Sequence, residues 1–447
     1  MVEADQEIRL PFRHKQVYVE GFLTDSSLNE PNHPVEGGAN ALFVFLSHRR
    51  GIKNLTVIIK PLARSIDILT IPKLRIGDLV AKIPIIQGGM GVGISLSGLA
   101  SAVANEGGIG VIAAALIGLH ETDICNNFRE ANIRALRKEI RKAREATKGI
   151  LGVNIMVALT NFADLVKTSI EEGIDVIFSG AGLPLDLPKY LKDGFKTKLV
   201  PIISSARAAK AICKRWLARF DCLPDAFVVE GPLAGGHLGF SADQLDSPEF
   251  ALERLVPEVV EAVIPFQEEY KSDIPVIAAG GVYSGDDIHK FLQLGAAGVQ
   301  MATRFVTTHE CDADVRFKQS YLDAREEDMV IIKSPLGLLG RAIQNKFIED
   351  VESGKKKPFK CPYHCLLPCN ITDSPYCISL ALVHAKRGNL RHGFAFAGQN
   401  AYRADQIISV KELIDSLLEE YDRAACRSVP DCRASAPQVS HSALHGA

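Results

Sequence analysis

The sequence has no excess of charge of either sign. Fifty-one Lys and Arg face 53 Asp and Glu, for a formal net charge of -2. It therefore lacks the basic field that draws a protein to nucleic acid or to anionic lipid. An apolar signal-peptide core is also missing, because the first residues, "MVEADQEIRLPFRHK", carry charge throughout. One uncharged stretch, "IPIIQGGMGVGISLSGLASAVAN" from Ile83 to Asn105, is long enough to suggest a membrane span. Five glycines, Gln87 and three serines interrupt it, and it passes from a β-like run through a glycine loop to a helical pattern. A spanning helix is rejected on that ground. The expectation is a cytoplasmic protein acting on a small molecule, with no nucleic-acid or membrane partner.

Several catalytic signatures are missing too. No Walker A loop or H-E-x-x-H helix occurs. A dinucleotide fingerprint needs glycine at its first, third and sixth positions; from Gly89 the sixth is Ile94, and from Gly91 it is Leu96. A nucleophile elbow needs glycine two residues before its serine, and Ile177 holds that place before Ser179. The ten cysteines do not form the framework of a small secreted domain. Cys125, Cys213, Cys222 and Cys311 are scattered, while Cys361, Cys365, Cys369 and Cys377 crowd together with His364 among them. Their C-x3-C-x3-C-x7-C spacing matches neither paired zinc ligands nor a ferredoxin run. Metal binding and a set of packed, reduced thiols both remain open.

What is present is ordinary globular composition, 47% hydrophobic and 23% charged, enough for a large core. Residues 1–68 show mixed polarity and turn clusters, and are expected to be a poorly ordered or peripheral extension. From Leu69 short apolar runs recur: "IPIIQ" (83–87), "IGVIAA" (109–114), "ILGVNIM" (150–156), "DVIFSG" (175–180), "KLVPIIS" (198–204), "AFVVEG" (226–231), "IPVIAAG" (274–280) and "AGVQMAT" (297–303). Continuous apolar runs suit strands buried on both faces of a parallel sheet. Helical patterns lie between them, among them "SARAAKAICKRWLARF" and "SGDDIHKFLQLG". Eight such strands over about 250 residues predict an α/β fold, a (β/α)8 TIM barrel, with a doubly wound open sheet as the alternative. The barrel is expected over 69–345, a Cys-containing helical appendix covering it over 346–424, and a disordered tail over 425–447.

Barrel enzymes work at the C-terminal ends of their strands. Most of those tips here are rich in glycine, which suits a flat ligand pressed against backbone. A phosphate commonly sits between the loops after the last two strands. "AAGG" offers bare backbone at Gly280 and Gly281, and "ATR" at Ala302 and Thr303. The sixth tip, "EGPLAGGHLG", sets His237 among glycines beside Glu230, and histidine moves protons near neutral pH.

"PIIQGGMG", "GVNIM", "EGPLAGGHLG", "IPVIAAGGV", "GVQMATRF" and the late "FAFAGQNAYR" follow one another in an order and spacing that resemble a known family. It is the FMN-dependent nitronate monooxygenases, once called 2-nitropropane dioxygenases, with the related flavin enoyl-ACP reductases. The resemblance implies that Gly88, Gly89 and Met90 line the isoalloxazine and that Asn154 hydrogen-bonds it. Ser179 and Gly180 would border the flavin, Gly235 and Gly236 would allow close approach, and Gln399 would close the site. Gly280, Gly281, Ala302 and Thr303 would hold the FMN phosphate, while Glu230 would orient its loop or contact ribityl hydroxyls. His237 corresponds to the catalytic base that handles the proton α to a nitro group, with O2 as co-substrate. A homodimer is compatible with the resemblance. Two alternatives stand beside nitronate oxidation. One is an NAD(P)H-dependent enoyl-ACP reductase, for which "KKKPFK" (355–360) is a candidate docking patch. The other is a non-catalytic flavin or phosphate sensor that uses the cysteines as a redox switch.

Overall fold

The structure, a computed structural model, describes residues 71–428 apart from 193, 356, 358 and 362. The expected extension (1–68) and most of the expected tail (429–447) lie outside the described residues. A short antiparallel hairpin, β1 (Leu74–Ile76) and β2 (Leu79–Ala81), comes first. Strands and helices then alternate: β3 (Ile85–Gln87), α1 (Ser97–Asn105), β4 (Ile109–Ala113), α2 (Phe128–Ala146), β5 (Ile150–Met156) and α3 (Phe162–Glu171). β6 (Val176–Gly180) passes to β7 (Lys198–Ile203) through a single 3-10 turn, and α4 (Ala206–Phe220) leads to β8 (Phe227–Glu230). After it come the two-residue β9 (Gly236–His237), α5 (Ala242–Leu245), α6 (Leu252–Tyr270), β10 (Val276–Ala279), α7 (Gly285–Gln293) and β11 (Gly298–Met301).

All eight expected strands are present and close into one barrel in the order β10-β11-β3-β4-β5-β6-β7-β8. Every neighbouring pair is parallel, so all eight C-terminal tips share one rim. Period-2 alternation sends Ile86, Val111, Val176, Phe178, Val200, Val228 and Ile277 into the barrel, where Leu74, Ile76 and Ala81 of the hairpin join them. Alternate residues such as Ile85, Ile112, Ile177 and Phe227 face the surrounding helices. The helices start where their caps dictate. Ser205 accepts a bond from the N–H of Ala208, and Ser284 forms a capping box with Asp287. The stretch that suggested a membrane span is β3, a loop and α1, and among the described residues no helix is long and apolar enough to cross a membrane.

The chain makes a long excursion after β11. It comprises α8 (Thr303–Val306), α9 (Val315–Leu322), the hairpin β12 (Met329–Lys333) and β13 (Leu339–Ile343), α10 (Lys346–Glu352), α11 (Ile378–Lys386) and finally α12 (Val410–Arg427). The C-terminal region is helical, as expected, but its last helix is no cover. α12 packs between α7 and α1 and so takes the eighth place in the outer ring. The approach is close: a Cβ added to Gly285 would lie 2.3 Å from Leu417 O and Tyr421 N. A capping box of Ser409 with Glu412 starts the helix, and Leu413, Ile414 and Leu417 bury its inner face. A second departure is the antiparallel pairing of β13 with β9, which builds a three-stranded sheet over the barrel rim.

Candidate active site

A cavity of about 720 Å3 opens at the shared rim. Gly88, Gly89, Met90, Asn154, Gly180, Gly235, Gly236, His237, Ala302 and Thr303 all line it, so most of the expected site residues come together. Asn154, Glu230 and Gln300 stand at the ends of inward-facing positions on β5, β8 and β11 and bring polar groups to the mouth. Gly89 is glycine for a measurable reason. Its missing Cβ would lie 2.4 Å from Cβ of Asn154, so the loop after β3 rests directly on that side chain. Gly235 is pressed elsewhere: a Cβ there would lie 2.5 Å from backbone atoms of Ala397 and Gly398. Three non-glycine residues on the cavity wall, Val92, Leu116 and Ala181, have φ of 28°, 53° and 53°. Left-handed backbone is costly for such residues, above all for a β-branched valine, and strain of this kind gathers at functional sites.

Four expected residues are placed off that wall. Ser179 occupies an outward position on β6; it is fully buried and donates to Ile155 O at 3.0 Å. Gly280 lies against Gly231, and Gly281 against Leu233 while its carbonyl accepts a bond from Asn400 Nδ2 at 2.8 Å. Both turns are on the same rim as Ala302 and Thr303, because β10 and β11 are adjacent and parallel. The side-chain oxygen of Gln399 accepts from the Arg341 guanidinium, and its N–H donates to Leu233 O at 3.0 Å.

His237 sits on β9, opposite Gly340 of β13. Its Nε2 is 3.0 Å from Ser334 Oγ, in the turn between β12 and β13. The ring packs on Phe396 at 5.1 Å between centroids. Phe396 is fixed in turn, its carbonyl accepting the Tyr321 hydroxyl at 2.6 Å. Burial lowers the imidazole pKa to about 4, so His237 is neutral near pH 7. Burial raises the Glu230 carboxyl to about 7. Arg341, on β13, is buried and ties Pro232 O at 3.0 Å to the 397–399 strap. Ser334, Arg341 and Tyr321 escaped sequence reasoning, and Phe396 went unremarked within "FAFAGQNAYR", because long-range pairings, β9 with β13 and Ala342 with Phe396, bring this group to the histidine. Gln300 could have been found, since it shares the inward parity of β11 with Gly298.

The cysteine-rich segment proves to be part of the cavity's outer wall. Cys365 lines it with Sγ 3.0 Å from Ser379 Oγ, and burial pushes the thiol up to about 11. Among the described residues, no three His, Cys, Asp or Glu side chains gather as metal ligands would.

The chain is similar to several known proteins. A dehydrogenase of Mycobacterium tuberculosis acting on a hydroxy-methyl-oxo-octahydro-indene-carboxyl-CoA is 28% identical over 366 residues, covering 75% of this chain and 92% of that protein. A probable nitronate monooxygenase of Staphylococcus aureus is 30% identical over 305 residues, covering 60% of this chain and 77% of its own. The solved structure of FabK from Thermotoga maritima superposes with a TM-score of 0.61 at 28% identity, over 78% of this chain and 95% of that one. The nitronate monooxygenase family model matches residues 74–420, and the chain belongs to that family of oxidoreductases.

Proposed function

We propose that the chain is an FMN-dependent nitronate monooxygenase, with His237 as the group that handles the substrate proton and O2 as the electron acceptor. The observation that carries it is a neutral imidazole held over a glycine-lined barrel mouth inside a 720 Å3 cavity. A flavin fits the residues present. Gly88 and Gly89 line the cavity with backbone on which a flat ring would rest, and Asn154, Glu230 and Gln300 offer partners for its polar edge and ribityl hydroxyls. Bare backbone at Ala302 and Thr303, with the turn at Gly280 and Gly281 beside it, would receive the phosphate. When bound, FMN supplies acceptance of electrons from the nitronate and their passage to O2.

The protein's own part is positional and protonic. With Nε2–H donated to Ser334, the Nδ1 lone pair of His237 is free to take the proton as the substrate C–H bond breaks, leaving the electron pair on the nitro group as nitronate. A pKa of about 4 makes His237 a weak base toward a carbon acid. The preformed nitronate is therefore the better substrate than the neutral nitroalkane. Phe396 packs against the imidazole and holds its ring in place for that transfer.

A second reading is favoured by one observation: the relatives named for a CoA-ester dehydrogenase and FabK are covered over 92% and 95% of their lengths. Oxidoreduction α,β to a thioester carbonyl would use the same histidine at the same carbon. Anaerobic mixing of the holoprotein with a nitronate, or with NADH and an enoyl thioester, tests the two. Bleaching of the flavin by the nitronate alone, kept in His237→Asn while the slower bleaching by the neutral nitroalkane is lost, supports the first. Bleaching by NADH with thioester turnover, and none by nitronates, refutes it.

A further inference from the structure

The cavity has two unlike walls. One is the barrel mouth. The other comes wholly from the chain after β11: Leu336 and Leu338 of the β12–β13 turn, Leu366 and Pro368 of the cysteine-rich segment, and Ile378 and Leu382 of α11. This second wall is held in place by backbone. Leu366 bridges Leu159, Leu367 N–H donates to Ala158 O at 2.9 Å, and Thr160 N–H donates to Cys365 O at 3.1 Å. Its polar atoms are spent on one another, the Cys365 thiol on the Ser379 hydroxyl. Among the described residues no Lys, Arg or Asp lines the cavity. At the rim Leu183 and Leu338 line it while remaining 43% and 39% exposed. Apolar surface left facing a wet cavity costs about 25 cal/mol per Å2, a cost removed when an apolar ligand covers it.

We propose that this outer wall is a chamber for an uncharged, bulky apolar body of the substrate, a medium-length hydrocarbon chain or an alicyclic ring, with the reacting carbon held at His237. The inference deepens the proposed function, resting on the cavity being the substrate site, and it names a substrate class that small nitroalkanes do not fill. The lining side chains Leu336, Leu338, Leu366, Pro368, Ile378 and Leu382 offer a polar body no hydrogen-bond partner on this wall. Segment 361–382 thereby gains a role that needs no metal.

The test separates the chamber from the chemistry. Unreactive methyl ketones from butanone to decanone are titrated into the purified full-length protein, and Kd is taken from the rise in Tm, a readout that requires neither turnover nor flavin. Kd is expected to fall about fourfold with each added methylene until the chamber is full. Leu382→Trp, which fills it from α11, is expected to cut that gain below twofold per methylene. Leu366→Trp repeats the test from the cysteine-rich segment should the first variant lack a cooperative transition. A Kd that is flat or rises along the series overturns the proposal, even where nitronates are turned over. A steep series with no nitronate turnover leaves the chamber standing and refutes the nitronate reading instead.

Discussion

Single substitutions at His237 and Glu230 are expected to tilt the pH dependence of stability in opposite directions. The imidazole titrates near 6.5 when exposed and at about 4 in the folded protein. Between those values the unfolded chain binds the proton and the folded one does not. His237 thus leaves stability intact above pH 6.5 and erodes it as pH falls toward 4. Glu230 does the reverse. Its carboxyl titrates near 4.5 when exposed and at about 7 when folded, so stability is intact below 4.5 and erodes as pH rises toward 7. At about 1.4 kcal/mol per pH unit, each effect totals about 3 kcal/mol, somewhat less where cavity water screens the group. In the parent protein the two nearly cancel between pH 4.5 and 6.5. His237→Asn unmasks the carboxyl, and stability then falls as pH rises. Glu230→Gln unmasks the imidazole, and stability then rises. Equilibrium urea midpoints taken every half unit from pH 4.5 to 6.5 measure both slopes. Slopes that both shift from the parent's in the same direction would refute the reasoning, because the groups would then be titrating as a pair or not at all.

Other expectations concern the parts that hold the histidine and close the ring. Ser334→Ala removes the hydroxyl 3.0 Å from Nε2 and is expected to lower kcat about three- to tenfold with little change in Tm, as steady-state assays and melting curves would show. Gly235→Ala places a methyl 2.5 Å from the backbone of residues 397 and 398. It is expected to cost about 1–3 kcal/mol and to weaken flavin retention, measured by urea unfolding and by gel-filtration absorbance. Ser409→Ala removes the hydroxyl that accepts from Glu412 N–H and donates to its carboxylate at the start of α12, leaving only the backbone half of the capping box, and is expected to cost about 1 kcal/mol on the same unfolding assay.

The barrel was legible because its signals are local. Each strand is a run of buried residues bounded by glycine or polar letters, and the serines at 205 and 284 mark helix starts whatever lies far away. The rim was legible for the same reason, since parallel strands put every tip at one end. Ser179 was named together with Gly180, and period-2 alternation turns the serine outward while Gly180 lines the cavity. Nothing local shows that β9 pairs with β13, more than a hundred residues on.

The position of α12 has a consequence for synthesis. The surfaces of α7 and α1 that it covers belong to residues made far earlier, and Gly285 N–H waits out that interval for its acceptor, Glu420, which lies at 2.7 Å in the finished protein. A ribosome must release residue 427 before the circle of helices is whole. Until then two greasy flanks stay bare, so arrest or truncation ahead of residue 410 should yield a chain that clings to chaperones instead of a smaller working enzyme.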